Sequence, residues 1–184
     1  SLGGAVALMA AAHCPDKVKA IIIEDAPLDL DNYRKIVDSS REIFDLWLDL
    51  KRSASSEQEL SLALADRYQD YPGVTSQWIL FFAGCLWALD PTYFDPLLHD
   101  FDSFAAGYGT EEIMANIKCP VLFIRGEREL GGLMADEEIS RLTRDFSNVS
   151  YVQISGVGHL LHLEDRGQAQ VLNEMTAFLS RIPK

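Results

Sequence analysis

The sequence predicts an α/β fold in which helices flank a parallel sheet. Three short apolar segments predict its strands, at residues 18–23, 119–126 and 149–154. Helical patterns lie between and around these segments, and strands that are joined through helices pair in parallel. The first two segments are continuously apolar, which is typical of strands buried on both faces. The third alternates in polarity and is expected nearer a sheet edge.

Helical periodicity marks the segments around the predicted strands. Apolar residues at helical spacing follow Ser1 and predict a helix that ends before Pro15. A helix is predicted over residues 135–145, and a final amphipathic helix over residues 165–181. The chain therefore reads as helix, strand, a long insertion, strand, helix, strand and helix.

The insertion covers residues 30–117 and contains no strong strand pattern. Its predicted helices lie at residues 33–50, 57–68 and 74–89, and turn-forming segments separate them. Large aromatic residues are frequent in this part of the chain. We predict two structural parts, an α/β core formed by residues 1–29 and 118–184 and a helical domain formed by residues 30–117.

Composition limits the possible ligands. The 184 residues are 48% hydrophobic and 24% charged, as in ordinary globular proteins, with a formal net charge of −12. This acidic balance argues against nucleic acid and against anionic membrane surfaces as partners. No apolar segment is long enough to span a bilayer. The cysteines Cys14, Cys85 and Cys119 are widely spaced and predict small core residues in a reducing compartment, so we expect a cytoplasmic protein.

A serine near the start and a histidine near the end are the residues best suited to chemistry. Ser1 precedes Leu2-Gly3-Gly4 at the start of the first helix, where it could be a nucleophile or an ordinary helix N-cap. His159 follows Gly158 directly after the third predicted strand, where α/β sheets bind their ligands. A serine hydroxyl needs a base such as histidine to accept its proton, and that histidine needs a carboxylate to orient it.

The segment Ser1-Leu2-Gly3-Gly4 resembles the second half of the nucleophile elbow of α/β-hydrolases, and the order serine, acid, histidine matches that family. The chain resembles the C-terminal portion of such a protein, starting at the nucleophile and containing the last three core strands. The resemblance implies that residues 30–117 are a helical cap and that an N-terminal half of the same fold precedes Ser1. It also implies that the N–H of Leu2 contributes to the oxyanion hole.

Two residues are candidates for the acid. Asp25 ends the first predicted strand, and some members of the family, including dehalogenase-like and lactone-hydrolase-like branches, take their acid from that position. Glu129 lies three residues after Gly126, where the commoner family pattern has an aspartate. We favour Asp25 as the catalytic acid and keep Glu129 as the alternative. His162 could form a metal pair with His159, but with no third ligand evident it is interpreted as pocket wall or loop packing, and no metal is expected.

The resemblance implies a serine hydrolase that cleaves a carboxylic ester or lactone of a small hydrophobic substrate and needs no cofactor. We expect the pocket to be lined by large aromatic residues of the cap, namely Trp47, Trp78, Phe82 and Trp87. Carbon–carbon bond hydrolysis, cofactor-free haloperoxidase activity and amide hydrolysis remain alternatives within the family. A small-molecule receptor of little or no activity on the same scaffold is the alternative of another class.

Overall fold

The computed structural model describes residues 1–70, 74–163 and 165–183. The predicted turn at residues 71–73 lies outside the described residues. In chain order the elements are α1 (Leu2–His13), β1 (Ile21–Glu24), α2 (Leu30–Ser39), α3 (Arg41–Ser53), α4 (Glu57–Tyr68), α5 (Ser76–Ala88), α6 (Phe94–His99), α7 (Phe101–Phe104), α8 (Thr110–Asn116), β2 (Val121–Arg125), α9 (Asp136–Asp145), β3 (Val149–Gln153) and α10 (Asp165–Leu179). Short 3₁₀ helices lie at Pro91–Tyr93 and Arg128–Leu130.

The three strands form one parallel sheet in the order β1-β2-β3. Ile21 lies opposite Val121, and Val121 lies opposite Val149, so that all three strands run in register. The fold class predicted from the sequence is confirmed: a parallel sheet with flanking helices. Because the strands are parallel, their carboxyl ends meet at the same edge of the sheet, where ligands bind in open α/β sheets.

Successive residues of β2 pack on opposite faces of the sheet, and the whole strand is buried. Phe123 belongs to a core that includes Leu8 of α1 and Leu142 of α9. Its neighbours Leu122 and Ile124 belong to a second core that includes Phe178 of α10. β1 alternates between buried and half-buried residues rather than being buried throughout, and β3 is the most exposed strand, as expected near an edge.

The chain divides into two compact units, residues 1–33 with 107–184 and residues 34–106. The described residues of the second unit contain helices and no strand. Its core is formed largely by α4 and α5, with Leu60, Leu64 and Ala83 buried between them. The predicted single helix over residues 33–50 is in fact two, because the chain breaks at Ser40 between α2 and α3.

The cysteines differ from the sequence prediction. Cys119 is buried, as expected, but Cys14 and Cys85 are exposed, and all three are free thiols. Cys14 follows the last residue of α1, and Cys85 lies on the outer face of α5, where apolar neighbours made it look like a core residue. Among the described residues, no helix is long and apolar enough to span a membrane.

Candidate active site

Asp25 follows β1 and turns the chain away from the sheet. Its φ of 42° lies in the left-handed region, which is rare for residues other than glycine but is tolerated by aspartate and asparagine. The backbone N–H of Asp25 still donates to Ile124 O of β2, at 2.8 Å. The side chain is fully buried, and it accepts hydrogen bonds from Leu133 N at 2.8 Å and Met134 N at 3.4 Å. Two amides therefore hold this carboxylate in one orientation.

His159 contacts Asp25 directly. The distance from Nδ1 of His159 to Oδ2 of Asp25 is 2.9 Å, although 134 positions separate the two residues in the chain. The histidine side chain is 27% exposed, whereas the aspartate is not exposed at all. A carboxylate at this distance favours the tautomer in which Nδ1 carries the proton and Nε2 has a free lone pair. The arrangement can accept a proton at Nε2 and stabilise the resulting imidazolium.

Close backbone packing sets the position of the loop that carries His159. A Cβ atom on Gly158 would lie 2.0 Å from Leu130 O, and one on Gly126 would lie 2.1 Å from Gly158 O, so neither position can hold a side chain without a backbone shift. Glu127 N donates to Val157 O at 2.8 Å, which ties the loop after β2 to the loop after β3. Glycine therefore precedes His159 because a side chain at position 158 would clash with the backbone of Leu130.

Ser1 lies beside the end of β1. Its backbone nitrogen donates to the carbonyl oxygen of Glu24, the residue before Asp25, at 2.6 Å. Ser1 occupies the N-cap position of α1, is exposed, and makes no capping hydrogen bond through its side chain, so its hydroxyl is not used in the way an ordinary N-cap serine uses it. The described residues show no hydrogen bond between the Ser1 hydroxyl and His159, and that contact stays a prediction.

Helix α1 packs tightly against β1 and the turn that follows it. A Cβ atom on Gly4 would lie 2.8 Å from both Ala26 Cβ and Ile23 Cγ2, whereas one on Gly3 would meet nothing within 4 Å. Leu2 is the first residue of α1. Its N–H therefore belongs to the first turn, whose amides lack partners within the helix and form the positive end of the helix dipole.

Among the described residues, Glu129 makes no hydrogen bond or ion pair with His159. It occupies the 3₁₀ helix Arg128–Leu130, where its residue is exposed. The acid that pairs with His159 is Asp25. The neighbouring Glu127 instead accepts a hydrogen bond from Gly156 N at 2.9 Å and braces the loop.

A second histidine–carboxylate pair lies beside the first. Nδ1 of His162 is 2.6 Å from Oε1 of Glu24, so the consecutive residues Glu24 and Asp25 contact two histidines of one loop. Sequence reasoning singled out His162 but missed Glu24. The sequence signals that could have indicated this second pair are the consecutive carboxylates Glu24 and Asp25 and the two histidines three residues apart. Within the described ranges, no group of three or more His, Cys, Asp and Glu side chains is arranged to hold a metal.

Three of the predicted pocket residues pack together inside the helical unit. The rings of Trp47 and Phe82 lie 4.8 Å apart, and those of Trp78 and Phe82 lie 4.9 Å apart and are stacked. Nε1 of Trp47 donates to the hydroxyl of Tyr68 at 2.8 Å. Trp87 is 38% exposed, and the ammonium of Lys51 lies 5.5 Å from its ring centre. A role for these four residues in substrate binding stays a prediction.

Comparison with solved structures shows fold likeness over nearly the whole chain. E-2-(acetamidomethylene)succinate hydrolase matches 98% of this chain with 18% sequence identity and a TM-score of 0.66, and the match covers 64% of that protein. A thermophilic esterase from Thermogutta terrifontis matches 98% of the chain with 18% identity and a TM-score of 0.57, covering 62% of that structure. Naproxen esterase from Bacillus subtilis matches 97% with 17% identity and a TM-score of 0.59, covering 57% of its own length.

The chain thus spans less than two thirds of the length of each of these structures. No curated protein matches the sequence. The family model for the alpha/beta hydrolase fold matches residues 1–166, which is most of the chain and includes Ser1, Asp25 and His159. The chain therefore belongs to the alpha/beta hydrolase fold family.

Proposed function

We propose that this protein is a serine hydrolase that cleaves a carboxylic ester or lactone of a small hydrophobic substrate through an acyl-enzyme. In this proposal Ser1 is the nucleophile, His159 is the general base, and Asp25 orients His159. The observation that carries the proposal is the 2.9 Å contact between His159 Nδ1 and Asp25 Oδ2, made by a carboxylate that is fully buried and bound by two amides.

The first half of the reaction follows from this pairing. His159 Nε2 accepts the Ser1 hydroxyl proton as Oγ attacks the substrate carbonyl carbon. Asp25 keeps the imidazole in the required tautomer and stabilises the imidazolium that forms. The tetrahedral intermediate then collapses, the carbon–oxygen bond to the leaving group breaks, and the imidazolium gives its proton to the departing alkoxide. In the second half, water attacks the acyl-enzyme by the same route and releases the acid and free Ser1.

The start of α1 would stabilise the negative charge that develops on the carbonyl oxygen. The N–H of Leu2 follows the nucleophile directly and has no partner within the helix. Removal of one such donor typically costs about 10²–10³ in kcat, so the donor contributes substantially to the rate. Support for the position comes from the close packing of Gly4 against Ile23 and Ala26, which holds the first turn of α1 beside the end of β1.

Two of the fold relatives are esterases, which supports an ester as the substrate, although their identities to this chain are only 17–18%. The aromatic residues of the helical unit would suit a hydrophobic acyl or alcohol group. No step of the proposed reaction calls for a cofactor.

Mutation of the two candidate acids in the full-length protein tests the assignment. Asp25→Asn should retain the fold and lower kcat for p-nitrophenyl ester hydrolysis by about 10⁴, because an amide favours the wrong histidine tautomer. Glu129→Gln is the matched control and should keep wild-type activity, since Glu129 is exposed. Normal activity in Asp25→Asn, together with loss in Glu129→Gln, would reverse the assignment.

Covalent labelling separates a hydrolase from a receptor on the same scaffold. A fluorophosphonate should label the wild-type protein at Ser1 and should not label Ser1→Ala. A folded wild-type protein that resists labelling and has no ester turnover would exclude the proposed reaction and favour the receptor.

A further inference from the structure

Glu138 is a buried carboxylate that the proposed reaction does not use. It is the third residue of α9 and is only 4% exposed. Its Oε1 accepts two hydrogen bonds, from Leu28 N at 2.7 Å and from Asp29 N at 2.6 Å. Both amides belong to the segment that directly follows Asp25, so Glu138 holds the turn that places the candidate acid.

The contacts between these two segments are reciprocal. The Asp25 carboxylate accepts from the amides of Leu133 and Met134, just before α9, while the Glu138 carboxylate in α9 accepts from amides just after Asp25. A third link runs from Nδ2 of Asn32 to Leu133 O, at 2.9 Å. A displacement of the turn after Asp25 would therefore also change the positions of the Leu133 and Met134 amides relative to the Asp25 carboxylate that they bind.

The buried charge of Glu138 is costly. Burial raises the pKa of Glu138 and the nearby Asp29 charge adds to this, while the two amides that it binds oppose the rise. Oε2 of Glu138 and the hydroxyl of Tyr108 are both buried and have no hydrogen-bond partner within the described part of the chain. An apolar side chain would avoid this cost, but it would leave the amides of Leu28 and Asp29 without acceptors.

We propose that Glu138 is a positioning residue that sets the orientation of Asp25, and through it of His159, by holding the turn at Leu28 and Asp29. This inference rests on the proposed function, because it assumes that Asp25 orients the catalytic histidine. Glu138 acts here as a hydrogen-bond acceptor, not as a charge, so a neutral acceptor of the same shape should replace it.

Three variants of the full-length protein test this role. Glu138→Leu removes the acceptor and should lower kcat for ester hydrolysis by about 10- to 100-fold with little change in KM, on the scale seen when hydrogen-bond partners that orient metal ligands are removed. Glu138→Gln keeps an acceptor oxygen and should restore kcat to nearly the wild-type value. Glu137→Leu, the same change at the exposed neighbouring position of α9, is the matched control and should leave kcat unchanged.

A spectroscopic measurement gives a readout that does not depend on turnover. The proton on Nδ1 of His159, shared with Asp25, should give a low-field NMR signal in the wild-type protein. That signal should move or broaden in Glu138→Leu, stay in place in Glu138→Gln, and be lost in Asp25→Asn. A role limited to stability would lower the melting temperature and leave this signal unchanged.

The outcomes separate this inference from the proposed function. If Asp25→Asn retains full activity, the proposed catalytic role of Asp25 fails, and the positioning role of Glu138 fails with it. If Asp25→Asn is inactive but a folded Glu138→Leu keeps wild-type kcat and an unmoved signal, the positioning role alone is overturned. A folded Glu138→Gln that is as impaired as Glu138→Leu would overturn the acceptor role. If Glu138→Leu does not fold, Glu138→Asp is used instead. Its shorter side chain should hold the amides of Leu28 and Asp29 less well and lower kcat. A folded Glu138→Asp with wild-type kcat would overturn the inference.

Discussion

Gly158 offers a sharp test of how the fold positions His159. In Gly158→Ala, the new Cβ would lie 2.0 Å from Leu130 O and 2.9 Å from the Leu130 carbonyl carbon. Cβ atoms in proteins essentially never come closer than 3.0 Å to such a backbone atom. The loop that carries His159 must therefore move by about 1 Å relative to the segment around Leu130. Neither contact is with a flexible side chain, so the strain falls on the backbone next to His159.

The expected effect on activity follows from that displacement. The 2.9 Å hydrogen bond between His159 and Asp25 would lengthen beyond hydrogen-bonding range if the loop moved directly away. A misplacement of about 1 Å at a catalytic group can cost about 10²-fold in rate, so kcat should fall by about two orders of magnitude. The assay is p-nitrophenyl ester hydrolysis by the full-length protein, well below the melting temperature of each variant.

Gly156→Ala is the matched control in the same loop. Gly156 has a φ of 76°, and a Cβ there would meet nothing within 4 Å. Alanine should cost about 1–2 kcal/mol of stability through backbone strain but should leave the loop in place and activity close to wild type. The reasoning would be refuted by a Gly158→Ala variant with wild-type kcat, or by a Gly156→Ala variant that loses as much activity.

Two further predictions concern stability. Gly4→Ala should lower the unfolding free energy by about 1–3 kcal/mol, because its Cβ would lie 2.8 Å from side-chain atoms of Ala26 and Ile23. Gly3→Ala, whose Cβ would meet nothing within 4 Å, should be neutral or stabilising by up to about 1 kcal/mol. Equal effects of the two substitutions in urea unfolding would contradict the steric argument. Burial raises the pKa of Glu138 above its ordinary 4.5, so the folded protein binds a proton on this carboxyl more tightly than the unfolded chain does. The stability that this proton adds is present at low pH and is lost as pH rises through the folded-state pKa. Glu138→Gln should therefore gain stability relative to wild type as pH rises above the ordinary pKa of 4.5, and a difference that does not change with pH would contradict this.

The strands and the parallel sheet could be predicted from the sequence because apolar composition reports burial directly. β2 is buried at every residue, as its continuous apolar pattern predicts. Helix α4 begins and ends where the pattern places it. Its start is marked by Ser56, whose side chain accepts a hydrogen bond from Glu59 N as a helix cap. The sequence does not indicate the break at Ser40, because apolar residues continue at helical spacing from α2 into α3.

The site was predicted only in part, because its contacts join residues far apart in the chain. Asp25 and Glu129 both follow strands that end at the same sheet edge, and nothing local distinguishes them. The choice depends on the turn after β1 and on the amides of Leu133 and Met134, which meet Asp25 only in the folded chain. Glu138 gave no signal at all, since an acidic residue in the first turn of a helix normally faces solvent and favours the helix dipole.

The left-handed backbone of Asp25 sets stability against activity at one position. Asparagine adopts this conformation at least as readily as aspartate, keeps an oxygen that can accept from Leu133 N, and carries no charge to bury. In the proposed mechanism it would nonetheless hold His159 in the wrong tautomer. A library randomised at position 25 and selected for heat resistance would therefore enrich asparagine and discard turnover. Directed evolution of this protein for robustness would have to keep that codon fixed or select for activity at every round.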